Sequence, residues 1–140
     1  MPIQFHPKQG AILVCNFDPG FKQPEMVKRR PVVVISPQIS ARADLCTVVP
    51  ISTEPPRKVM PYHYEIDVEL PPPWEKGPNW VKGDMVYAVA FRRLELIRFG
   101  RAEDNRRTYI LIQLQNRDLK EVRKCVLHAL GFSSLTKHMF

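Results

Sequence analysis

The stretch Lys28-Arg29-Arg30-Pro31-Val32-Val33-Val34-Ile35-Ser36-Pro37 decides the fold. Val32 to Ile35 is an unbroken run of β-branched residues, which favour a pleated backbone over a helix. No polar residue alternates through it, so the run reads as a strand buried on both faces. Pro31 has no N–H to give to a ladder and suits the first position of that strand, while Pro37 ends it. Lys28, Arg29 and Arg30 are thereby delivered to the mouth of a buried strand, where they form a basic step suited to phosphate.

Upstream, Ala11 to Phe17 is a further apolar run, stopped by the turn residues Asp18-Pro19-Gly20. Downstream, Cys46 to Ile51 is a third strand that leaves through Ser52-Thr53 into Pro55-Pro56-Arg57. His63 to Leu70 alternates polar and apolar residues as a half-exposed strand does, and Pro71-Pro72-Pro73 ends it. Trp80 to Val89 reads as one strand, with Val81, Met85, Tyr87 and Val89 on one face and Lys82 and Asp84 on the other. Phe91 to Arg98 should hold a helical turn and another strand, Arg101 to Arg107 a charged loop, and Tyr109 to Ile112 a last strand. One helix is expected from Asp118. Asp118-x-x-Glu121 has the form of a capping box, Leu119, Val122, Val126, Ala129 and Leu130 share a face, and Gly131 stops it. Ser133 to Phe140 reads as a loose tail.

The 140 residues suffice for one hydrophobic core, so a single domain over 1–140 is expected, its core at about 10–132. The 14 prolines exclude a helical bundle, and a hydrophobic share of 44% excludes wholesale disorder. A formal charge of +7 points to a polyanionic partner, with solubility as the alternative use of the excess cations. Cys15, Cys46 and Cys125 lie in apolar stretches without a C-x-x-C pair, so buried thiols are expected rather than disulfides or a zinc knuckle. Cys125 and His128 lie one helical turn apart with no further ligand, and no metal site is expected. No apolar run approaches the roughly 18 residues that span a bilayer. Met1-Pro2-Ile3-Gln4 does not open a secretory signal, so a cytoplasmic chain without membrane contact is expected.

Three polar groups fall at strand ends: Arg30-Pro31, Ser52-Thr53 and Lys82-x-Asp84. They offer a guanidinium for phosphate, a hydroxyl donor, and a carboxylate beside a cation. In this order they resemble the PemK/MazF toxins of type II toxin–antitoxin pairs. The matching stretches are Asn16-Phe17-Asp18-Pro19, Arg29 to Pro37, Val48-Val49-Pro50-Ile51-Ser52-Thr53, Trp80 to Leu94, and the helix ending Leu127-His128-Ala129-Leu130-Gly131. The resemblance implies a mainly β, SH3-like barrel with a C-terminal α-helix, a homodimer, and metal-independent, sequence-specific endoribonuclease activity on single-stranded RNA without a cofactor. It also implies a cognate antitoxin as partner.

Carried onto this sequence, the resemblance assigns Arg30 to the scissile phosphate, against pairing with Glu25 as the alternative. Ser52 takes the family's hydroxyl role, with Thr53 beside it, or serves only as a strand-end cap. Asp84 becomes a general base and Lys82 an acid or phosphate contact, or the two form a solvated ion pair. Some relatives place a histidine before the Arg-Pro step, where this chain has Gln23-Pro24-Glu25. His63 is the spatial substitute, or an ordinary strand residue. Lys28, Arg29, Thr53, His63 and Trp74 are the expected RNA contacts, Trp74 by stacking, whereas Phe17 and Trp80 are expected in the core. Two other classes fit the same fold: a non-catalytic CcdB-type toxin that binds a topoisomerase, and a plain RNA-binding module.

Overall fold

The computed structural model describes residues 2–18, 20–38 and 42–139. Pro19 of the expected turn and Phe140 of the expected tail lie outside them. Strands β1 (Ala11–Asn16), β2 (Arg29–Val34) and β3 (Leu45–Ser52) form an antiparallel meander. The apolar run of β2 is buried on both faces, as its composition requires. Val32 and Val34 enter one core with Leu13, Cys15, Val48 and Leu94, and Val33 enters a second with Ile12, Val49, Ile51 and Val81. The strand begins two residues earlier than expected, at Arg29. Pro31 is tolerated inside because the pairs with β3 start only at Val32, which makes its position an edge on that side.

The far edge of β3 is shared. Leu45 to Val48 pair with β6 (Tyr87–Ala90), while Ile51 and Ser52 pair with β5 (Asn79–Lys82), whose other side carries β4 (His63–Ile66). Pro50, without an N–H, stands between the two sets of partners. The sheet curls there into a half-barrel. The expected continuous strand from Trp80 to Val89 is therefore two strands joined by a turn at Gly83 and Asp84, closed by Met85 N–H donating to Lys82 O at 3.1 Å. Gly83 N–H donates to Tyr62 O at 2.8 Å, and a Cβ on Gly83 would lie 2.6 Å from that of Cys125. A side chain there has no room.

After a 3-10 turn at Phe91–Arg93, β7 (Leu94–Glu95) and β10 (Ile112–Gln113) pair with the outer edge of β1. β8 (Ile97–Arg101) and β9 (Arg107–Ile110) make a separate ribbon. Helix α1 (Asn116–Ala129) buries Leu119 and Val122, with Val122 in the second core. It starts two residues before Asp118, with Gln115 as its cap and no side-chain cap bond. The expected capping box is absent because Asp118, 8% exposed, instead accepts the Tyr64 hydroxyl at 2.7 Å. Gly131 ends the helix as expected. At φ +82 it adopts the left-handed conformation, with its N–H on His128 O and that of Phe132 on Leu127 O. Leu130 falls outside the apolar face and is exposed, and the expected loose tail is a 3-10 helix at Ser133–His138. Cys15, Cys46 and Cys125 are free and buried, and burial raises their thiols to about 12, 11 and 11. Among the described residues no helix is long and apolar enough to cross a membrane.

Candidate nucleic-acid interface

Register brings two of the sequence-picked residues together. The β2–β3 pairs run Val34 to Val48, Val33 to Val49 and Val32 to Pro50. The ladder stops there, and Arg30 and Ser52 each lie two residues past its end on their own strands. Both line a cleft of about 560 Å³ whose wall is the loop Gln23-Pro24-Glu25-Met26-Val27, with Glu54 and Met85 closing it.

Arg30 is half-buried, and its Nε donates to Val27 O at 3.3 Å. Its terminal nitrogens have no acceptor among the described residues, and the alternative pairing with Glu25 is not formed. Glu25 Oε1 instead accepts the Lys22 N–H at 3.2 Å. One bond thus fixes the stem while the guanidinium fork faces the cleft. Ser52 Oγ accepts the Glu54 N–H at 3.1 Å, so the strand-end cap exists. The cap uses a lone pair and leaves the hydroxyl hydrogen free to donate, so both readings of Ser52 hold in one geometry.

The loop wall is anchored from below. Phe17, Phe21 and Tyr87 pack edge to face with centroids 5.2 to 5.4 Å apart. The Tyr87 hydroxyl accepts the Met26 N–H at 2.9 Å, and burial pushes its phenol above the ordinary value. Phe17 is fully buried, as expected.

The remaining predicted contacts divide. Lys28 is exposed beside the cleft, in the left-handed region at φ 70, its N–H on Asp18 Oδ1. Arg29 points to the opposite face from Arg30 and pairs with Glu95 at 2.8 Å, away from the cleft. Thr53 is half-buried but does not line it. Trp74 is half-buried against the second core rather than free in its loop. Trp80 is only partly buried, and its Nε1 is shut in without a partner.

Lys82, Asp84 and His63 form a neighbouring group. Trp80 pairs with Ser52 on one side and with Glu65 on the other, so Ser52, Trp80 and Glu65 run in one row across three strands. Lys82 opposite His63 belongs to the next row on the same face. Asp84 is exposed in the turn that also supplies Met85 to the cleft, and the two make no ion pair among the described residues. His63 Nδ1 accepts the Met60 N–H at 3.0 Å, which leaves the proton of the neutral ring on Nε2. Burial and then Lys82 lower its pKa, against Asp84 and the Lys58 backbone, which raise it. The ring is neutral at pH 7.

Glu25 and Glu54 are the carboxylates that sequence reasoning left out of the site. The signal for Glu54 was its place two residues after Ser52, where a serine cap receives an N–H. Cys125 and His128 gain no partner: among the described residues no three metal-ligating side chains converge.

A family model described as PemK-like, MazF-like toxin of type II toxin-antitoxin system matches residues 8–130. An uncharacterized protein of Haemophilus influenzae is 30% identical over 94% of this chain and 95% of its own length. The Escherichia coli protein YifN is 29% identical over 96% of this chain and 99% of its own. Among solved structures, MazF of Deinococcus radiodurans superposes with a TM-score of 0.60 at 23% identity, covering 91% of this chain and 99% of that one. An endoribonuclease with its cognate antitoxin from a mycobacterial species gives 0.59 at 16% identity, covering 90% and 96%.

Proposed function

Because this chain belongs to the PemK-like, MazF-like toxins of type II toxin–antitoxin systems, we propose that it cuts single-stranded RNA endonucleolytically, without a metal, in the cytoplasm. The observation that carries this reading is the unpaired fork of Arg30 facing the free hydroxyl hydrogen of Ser52 across one cleft. Arg30 takes two oxygens of the scissile phosphate and Ser52 donates to one of them. These donors stabilise the charge that builds on the phosphorane. A carboxylate accepts the proton of the 2′-hydroxyl, O2′ attacks phosphorus, and the 5′-oxygen leaves with a proton from an acid. The products are a 2′,3′-cyclic phosphate and a 5′-hydroxyl.

Asp84 is our base and Lys82 our acid. Glu54 is the competing base, since it lines the cleft and Asp84 does not. Asp84→Asn and Glu54→Gln separate them, the true base losing turnover with little change in KM. Lys28 steers the strand. The mycobacterial structure pairs an endoribonuclease with its cognate antitoxin; an antitoxin that blocks this chain would cover the Arg30 cleft, and the working unit is a homodimer.

The test is incubation of single-stranded RNA with folded protein in EDTA, followed by end analysis. Cyclic-phosphate ends that vanish with Arg30→Ala are expected. Intact RNA after long incubation sinks the proposal. Binding with steep salt dependence and no cutting would mark a plain RNA-binding module. Growth arrest unchanged by Asp84→Asn, Glu54→Gln and Arg30→Ala would mark a topoisomerase inhibitor.

A further inference from the structure

We propose that the cleft at the β4 edge docks an extended segment of a partner protein that carries arginine or lysine at alternate positions. Glu65, Asp67, Glu69 and Glu75 line this cleft of about 430 Å³, Asn79 completes it, and no cation lines it. On a chain with a formal charge of +7 this is a local inversion of sign, and complementary fields choose partners.

Asn79 forms part of the floor of the cleft. The residue is 6% exposed, its Nδ2 donates to Val68 O at 3.4 Å, and its Oδ1 has no hydrogen-bond partner. A metal ion is the wrong occupant, because no three carboxylates converge among the described residues. Glu65, Asp67 and Glu69 instead fall at every second residue and are all exposed, Glu65 on β4 and the other two just past its end.

That spacing matches alternate side chains of another strand. β4 is the last strand of its sheet, and residues 67–70 run on beyond its ladder without a strand partner. Such an edge accepts a strand through its backbone. Each cation of an alternating segment then meets a carboxylate as a cross-strand pair.

The probe is a labelled, end-capped Arg-Thr-Arg-Thr-Arg-Thr peptide, titrated by fluorescence anisotropy against the full chain and the D67N/E69Q variant. Saturable binding is expected, at least tenfold weaker to the variant, whose melting temperature stays that of the parent. No binding, or equal binding to both proteins, overturns the proposal. An Arg-Arg-Arg-Thr-Thr-Thr isomer or spermidine binding as tightly would make the cleft a general cation sink and overturn it as well. Self-association that D67N/E69Q abolishes, without peptide binding, assigns the cleft to a second copy and equally defeats it. None of these readouts depends on the nuclease reading.

Discussion

The cleft around Arg30 and the cleft around Asn79 are of similar size, about 560 and 430 Å³, and differ in charge: Arg30 is set beside Glu25 and Glu54 in the first, whereas Glu65, Asp67, Glu69 and Glu75 line the second without a cation. Strand β5 links them: Met85, just past its C-terminal turn, lines the first, and Asn79, its first residue, lines the second. One cross-strand row begins with Ser52 in the Arg30 cleft and ends with Glu65 in the acidic one, with Trp80 between. The difference lies in preorganisation. Arg30 is tethered to Val27 and its loop is clamped by three aromatic rings, whereas Glu65, Asp67 and Glu69 are exposed. A site for a transition state needs fixed charge, and a docking edge can mould itself to its partner. Net charge describes neither.

The largest effect that separates the two is on Arg30. Arg30→Ala should lower RNA cleavage about a hundredfold or more, the usual effect of removing one donor to a developing oxyanion. Alternating-peptide binding in the acidic cleft should not change. Loss of both would mean that the clefts are one site.

Next comes the strand they share. A Cβ at Gly83 would meet Cys125 Cβ at 2.6 Å, Tyr62 O at 2.9 Å and Cys125 C at 3.0 Å, two of the three being backbone atoms that cannot rotate away. Gly83→Val should cost about 1–3 kcal/mol and lower the melting midpoint by roughly 5–15 °C. It should also weaken both ligands, because β5 carries both. An unchanged melting curve would show that the turn moves freely against α1.

Much of the Arg30 cleft could be read from the chain, and little of the acidic one. Val32 to Val34 revealed their burial through composition, and an Arg-Pro step at a strand start singled out Arg30. The turn at Gly83 was hidden for a physical reason. Val81 and Val89 have the same parity yet enter different cores, since both strands run antiparallel to β3 but the turn between them adds three residues to the register, Ile51 standing opposite Val81 and Cys46 opposite Val89, and alternation reports faces only within one strand. Glu54 and the Arg29–Glu95 pair depend on which strands become neighbours, which local pattern does not carry. Glu65, Asp67 and Glu69 read as the polar side of a half-exposed strand. Only the folded loop that returns Glu75 and Asn79 to them makes a cleft.

A smaller effect tests how the acidic edge is fastened to the helix. Tyr64 on β4 donates to buried Asp118 on α1, and Tyr64→Phe should cost about 1–3 kcal/mol by leaving that carboxylate without its donor. Burial first, then the bond to Asp118, raises the Tyr64 phenol from 10.0 to about 12. The folded state therefore holds a proton that the unfolded chain releases. This contribution is full below pH 10.0 and is lost between pH 10.0 and about 12. The raised thiols of Cys15, Cys46 and Cys125 begin the same decline from their ordinary 9.0. Denaturant midpoints across alkaline pH should fall from about pH 9, and Tyr64→Phe should flatten only the upper part of that fall.

The smallest effect concerns His63, which shares its face with the row joining the clefts. Burial is the first cause of its lowered pKa, Lys82 across the strand the second, and Asp84 opposes them. Lys82→Met should therefore raise the pH at which the ring titrates, and Asp84→Asn should lower it further, both readable from its carbon-bound ring protons by NMR. Because the folded value lies below the ordinary 6.5, the unfolded chain binds the proton first as pH falls. The stabilisation by neutral His63 is present above 6.5 and is lost as pH drops through the folded value. Lys82→Met should shrink that loss and Asp84→Asn enlarge it. Opposite shifts would place both side chains against the ring, giving the β4 end of this face a proton carrier. If neither substitution moves the titration, Lys82 and Asp84 do not act on His63, and the proton chemistry falls to Glu54 within the cleft.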